Sequence, residues 1–140
     1  MCRRILFLVI LTIVLVSCST NKEEFVNYIH GYWEITMVKK NNAIIKEYSL
    51  NALVDYFELN DDLTGYRKKV APTFDGTFNI TKHVIPFKLK FENDSLNIYY
   101  TYNETATKET IIKASTTELI ITNSEGFKYT YRPYKKFDVE

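Results

Sequence analysis

The chain has 140 residues, with 18 Lys and Arg against 17 Asp and Glu and a formal net charge of +1 at pH 7. That is the size of one domain with its own core, and the balance lacks the basic excess that marks a nucleic-acid binder. Aromatics make up 15% of the residues, as 11 Tyr, 9 Phe and one Trp, so rings must supply much of any core. In chain order, Arg3 and Arg4 come first, then the apolar run Ile5–Val16, then the small Ser17 before Cys18. This is the three-part layout of a secretory signal. A membrane-spanning anchor is the alternative. The apolar run of about twelve residues falls short of the roughly 20 that a spanning helix needs.

Leu15-Val16-Ser17-Cys18 resembles the lipobox of bacterial lipoproteins. The resemblance implies cleavage after residue 17 and lipidation of Cys18, which becomes the new N-terminus. Two or more acyl chains hold a protein firmly on a bilayer. The expected location is therefore the bacterial cell envelope, lipid-anchored at the outer membrane, on either its periplasmic or its surface face. Cys2, Arg3 and Arg4 leave with the signal, so the mature chain keeps no free thiol and carries a net charge of about −1. With no disulfide to form, stability must come from the core. Residues 18–24 read as the lipidated cysteine and a polar tether. Within it, Lys22-Glu23-Glu24 resembles the short export signals of surface lipoproteins in Bacteroidetes, with a solvated linker as the alternative.

Phe25 and Ile29 are spaced i, i+4, which predicts a short helical turn that Gly31 ends. Period-two alternation follows: Trp33, Ile35, Met37; Phe87, Leu89, Phe91; Leu96, Ile98, Tyr100, Tyr102; Phe127, Tyr129, Tyr131. Alternation of this kind marks strands with one buried face. Asn41-Asn42, Asn60-Asp61-Asp62, Asp75-Gly76, Asn93-Asp94 and Asn123-Ser124-Glu125-Gly126 supply tight reversals between them. About eight to ten strands are expected, near 32–39, 43–47, 54–60, 63–70, 74–81, 86–92, 95–103, 107–114, 117–122 and 127–132. Residues 49–55 could instead form a short helix. Short connections make neighbours antiparallel, and a long meander removes its exposed edges by closing. The expected fold is all-β, an up-and-down antiparallel meander closed into a barrel over residues 25–134, with 135–140 as a tail.

Ile29-His30-Gly31-Tyr32-Trp33 resembles the Gly-x-Trp start of lipocalins, and the closing segment Tyr129-Thr130-Tyr131-Arg132 fits the same pattern. Small lipocalin-like lipoproteins of Bacteroidetes share the whole layout. The resemblance implies that Trp33, after Gly31, plugs the closed end of the barrel. It also implies an arginine packed across that indole, with Arg132 as the candidate.

Residues with catalytic or ligating chemistry are few. His30 and His83 stand far apart, with no partner at metal spacing, so no metal and no cofactor is expected. No nucleophile elbow or phosphate loop occurs. Acidic residues are read as outward or in turns, with no inward carboxylate pair and no enzymatic activity expected. Asn60–Gly65 reads as a hairpin rather than a calcium loop. Asp94-Ser95-Leu96 resembles the O-glycosylation acceptor of Bacteroidetes, with Ser95 as the acceptor. The candidate ligand-lining residues are Phe78, Phe87, Phe91, Tyr100, Tyr102, Phe127 and Tyr129. They either hold a small apolar or amphipathic molecule or simply fill the interior. In the second case the outer surface would dock an envelope or secretion protein.

Overall fold

The computed structural model describes residues 21–102 and 105–136, apart from the side chains of Lys82 and Tyr102. A 3-10 turn, Lys22–Phe25, leads into the one-turn helix α1, Val26–Ile29. The turn begins earlier than the Phe25–Ile29 spacing predicts, inside the stretch read as tether. Asn21 caps it by accepting a hydrogen bond from the Glu23 N–H. Nine strands follow: β1 Gly31–Lys40, β2 Ala43–Glu47, β3 Val54–Leu59, β4 Thr64–Pro72, β5 Phe78–Glu92, β6 Ser95–Tyr102, β7 Thr105–Ala114, β8 Leu119–Asn123 and β9 Phe127–Pro133. Among the described residues no helix is long and apolar enough to cross a membrane.

Every neighbouring pair is antiparallel, and β1 closes the ring by pairing with both β3 and β9. The two sides of β1 are used differently. Its first residues, Gly31–Trp33, meet Phe57–Asp55 of β3, while its far end, Met37–Lys40, meets β2. Strand β2 therefore hangs outside the ring, and all five of its residues are exposed. Asn41-Asn42 and Asn93-Asp94 take positive φ in two-residue turns, the conformation such hairpins demand and Asn and Asp tolerate. Two expectations differ. The strands predicted at 74–81 and 86–92 are one long strand, β5, and residues 73–77 are its turn. Residues 49–53 form no helix.

Gly31 opens β1 at φ 129°, a conformation side chains rarely adopt. Gly65 on β4 is required by space. A Cβ there would lie 2.0 Å from the Glu58 carbonyl oxygen and 2.8 Å from the Phe87 ring.

The core fills one end of the barrel. Phe25 and Ile29 descend from the helical turn onto Trp33, Phe57, Phe87, Leu89, Leu96, Ile98, Ile111, Leu119, Ile121 and Tyr131, all buried. The whole of this cluster lies between Phe25 and Tyr131, so that segment carries its own core. The helical turn packs against β6 and β7. Strand β6 then runs from Ser95 at this closed end to Tyr102 at the mouth.

Candidate functional site

At the mouth, the inward phase of the strands changes character. Asp55 precedes Phe57 by two on β3, Arg67 follows Gly65 by two on β4, and Glu109 precedes Ile111 by two on β7. Each therefore points into the barrel beyond the apolar core. They form one cluster. Arg67 donates from Nε to Asp55 Oδ1 at 3.1 Å, from Nη1 to Tyr100 Oη at 3.1 Å and Glu109 Oε2 at 3.5 Å, and from Nη2 to Tyr131 Oη at 2.9 Å. Tyr100 in turn donates a hydrogen bond from its hydroxyl to Glu109 Oε2 at 2.9 Å. Lys69 completes the set with bonds of 2.9 and 3.0 Å to both Asp55 oxygens. The Arg67 guanidinium also lies 5.0 Å from the Phe57 ring centroid, a cation over an aromatic face.

Two cations and two anions balance. Among the described residues no buried side-chain polar atom lacks a partner. That is the condition under which buried charge is tolerated. Burial works against the Asp55 carboxylate, but Arg67 and Lys69 more than offset it and hold its pKa below the ordinary value. Burial likewise works against the Arg67 charge, and Tyr100, Tyr131 and Asp55 outweigh it, so its pKa is raised. Burial pushes the hydroxyls of Tyr100 and Tyr131 well above the usual phenol range despite the opposing pull of Arg67.

Above this floor lies a cavity of about 790 Å³, open to solvent. Leu53 and Ile85 give it apolar wall, Thr105 and Thr107 stand on β7, and Thr81 and His83 come from β5. The pairing of β4 with β5 shifts register between Lys68 and Val70, beside the cavity. The volume lies within the roughly 300–1,000 Å³ of small-molecule sites.

The expected site residues are dispersed. Trp33 is 4% exposed and donates from Nε1 to the Ile29 carbonyl at 2.9 Å. Arg132 does not cover it. Arg132 lies on the outer face of β9, paired with Glu34 at 2.9 Å, because the strand's alternation points it away from the indole. The interior arginine is Arg67. Of the predicted lining, Tyr100 sits at the cavity floor. Phe87 is buried core, with its ring at an edge-on angle to Tyr100. Phe78 is outside: it stacks on Tyr32 at 4.4 Å between centroids and meets Tyr134 edge-on. With 78–92 a single strand, Phe78 falls in the phase opposite to Thr81, His83 and Ile85, which face the cavity. Phe91 is 44% exposed, near the β5–β6 turn and away from the cavity. Phe127 and Tyr129 are half-buried and stacked on each other, with Lys40 over the Phe127 ring, and neither lines the cavity. The Tyr102 side chain and Cys18 lie outside the described residues. Ser95 opens β6, half-buried, beside the exposed Asp94.

The sequence reading placed no carboxylate inside, and the structure overturns that with Asp55 and Glu109. The signal was their phase. Both are two residues from a buried apolar residue on the same strand, which is the inward phase. Among the described residues no group of three or more His, Cys, Asp or Glu could hold a metal.

No curated protein matches the chain. Among solved structures it is similar to a lipocalin-like protein from Bacteroides uniformis, at 11% identity and a TM-score of 0.46, covering 76% of this chain and 98% of that one. An uncharacterized protein from Bacteroides eggerthii gives 11% identity and a TM-score of 0.47, covering 76% and 99%. Residues 29–121, from the end of the helical turn through most of β8, match the lipocalin-like domain, and the chain belongs to that family.

Proposed function

We propose that this protein is a lipid-anchored lipoprotein of the bacterial envelope whose barrel binds a small apolar or amphipathic molecule without converting it. The observation that supports binding is the cavity of about 790 Å³ at the barrel mouth, above a floor whose fully buried polar atoms are paired among the described residues. The anchoring part rests on Leu15-Val16-Ser17-Cys18 and the signal layout before it. The test uses residues 19–140, which contain the whole core. N-phenyl-1-naphthylamine, an uncharged apolar dye, is titrated into the protein. Saturable uptake is expected, and Thr107→Trp, which places a large ring in the cavity, should abolish most of it. Absence of uptake by the parent protein defeats the binding reading. Anchoring is checked separately. Cys18→Ser should move the full chain out of the membrane fraction, and a variant that stays there would place the anchor elsewhere.

A second reading, docking of an envelope protein through the barrel surface, is favoured by β2. This strand is outside the ring, fully exposed and apolar at Ile44 and Ile45. Replacing both by Lys should abolish partner recovery in a pull-down from the envelope while leaving dye uptake intact.

A further inference from the structure

The binding reading leaves open which end group the ligand carries, and the cavity floor answers it. All four donor directions that Arg67 uses go to protein partners: Asp55, Tyr100, Glu109 and Tyr131. One Nη2 N–H of the five remains, so a ligand carboxylate would find a single donor and not the two-pronged contact it makes best with arginine. Lys69, half-exposed at the cavity, spends two of its three N–H groups on the oxygens of Asp55, and its charge is matched there. Lys68, although its residue borders the cavity, places its ammonium over the outward rings of Tyr56 and Tyr66. Glu109 is different. Both bonds that reach it, from Arg67 and Tyr100, end on Oε2. Its Oε1 has no partner among the described residues, the side chain is 18% exposed, and the residue lines the cavity. Since no fully buried side-chain polar atom is left unpaired among those residues, Oε1 faces the open space.

An unpaired carboxylate oxygen asks for a donor. The charges around it already match, two positive and two negative, so a charged end group would bring an uncompensated charge into a partly buried site. We infer that the cavity selects an apolar molecule ending in an uncharged hydrogen-bond donor, a hydroxyl or an amide N–H, with Glu109 Oε1 as its acceptor. This rests on the binding reading above and adds the residue that sets specificity.

The test compares decan-1-ol with methyl nonyl ether, its isomer without a donor, and with decanoate. Each displaces N-phenyl-1-naphthylamine from residues 19–140 at concentrations below micelle formation. The ether is the more hydrophobic isomer, so a merely greasy cavity prefers it. The inference expects the alcohol to bind about threefold to tenfold tighter than the ether, the span of one net hydrogen bond. Decanoate should bind weakest. An ether that equals or beats the alcohol, or decanoate as the tightest of the three, overturns the inference while the binding reading stands. Failure of the dye itself to bind overturns both. In Glu109→Gln the amide oxygen can keep the bonds from Arg67 and Tyr100, which turns the NH2 toward the cavity. An acceptor becomes a donor, so the alcohol-to-ether preference should fall to one or below. An unchanged ratio places the end group elsewhere and rejects Glu109. If the variant does not fold, the ranking on the parent protein decides alone.

Discussion

At the closed end of the barrel, Trp33 packs among apolar side chains and spends its one N–H on a carbonyl four residues back. At the mouth, Arg67 is held by two carboxylates and two tyrosines. The same eight-stranded ring supports both, with the same inward phase. The difference lies in how each end answers to substitution. An apolar plug is stabilised by area and shape, which tolerate no hole. A charged cluster is stabilised by balance, which tolerates no missing partner. The largest expected effect therefore falls at the plug. Trp33→Ala should lower stability by about 3–5 kcal/mol, the usual cost of emptying a large aromatic site. For a chain of ordinary stability, about 5–15 kcal/mol, that is a large share. Chemical denaturation measures it. A midpoint shifted by only a small fraction of that amount would mean the closed end is not held by its tryptophan.

The two ends were also unequally legible in the sequence. Period-two apolar runs marked Phe87, Leu89, Leu96, Ile98, Tyr100 and Tyr131 as inward, and the structure buries all six. Gly31 and Trp33 marked where the barrel begins. The mouth was hidden because its inward residues are charged. Arg67 stands in Tyr66-Arg67-Lys68-Lys69, where a basic run reads as solvated surface. Only the register reveals that Arg67 lies opposite the buried Phe57 on one side and Ile85 on the other. Phe78 misled for a different reason. It lies nine residues before the inward Phe87, so once 78–92 is a single strand it falls in the outward phase, with the exposed Ile80 and Val84. Periodicity reports phase within a strand and is blind to whether two runs belong to the same strand.

The second prediction probes balance at the mouth. Asp55 is 2% exposed and answers both Arg67 and Lys69. Asp55→Asn keeps the shape and removes the charge, so it should cost about 2–3 kcal/mol at neutral pH. The cost should depend on pH. The folded-state pKa of Asp55 lies below its ordinary value of 3.8, so the carboxylate contributes its full stability above that value. The contribution is lost as pH falls through the folded pKa. The gap between parent and variant should thus be constant near neutrality and close in the acid range below 3.8. Denaturation midpoints measured across that range check it. A gap that persists undiminished there would assign the loss to packing instead of charge.

The smallest effect is expected where the family resemblance had placed a structural role. Arg132 is half-exposed on the outer face and meets Glu34 at 2.9 Å. Exposed pairs of this kind contribute about 0.2–1 kcal/mol and weaken with salt. Arg132→Ala should therefore shift the denaturation midpoint slightly, and less still at high ionic strength. Trp33 provides a second readout because the chain has one tryptophan, so fluorescence reports that site alone. An arginine lying across the indole would change the emission when removed. With Arg132 on the opposite face of the sheet, the emission maximum should not move. A shifted maximum together with a loss comparable to Trp33→Ala would restore Arg132 as the cap and make the closed end, like the mouth, dependent on a buried cation.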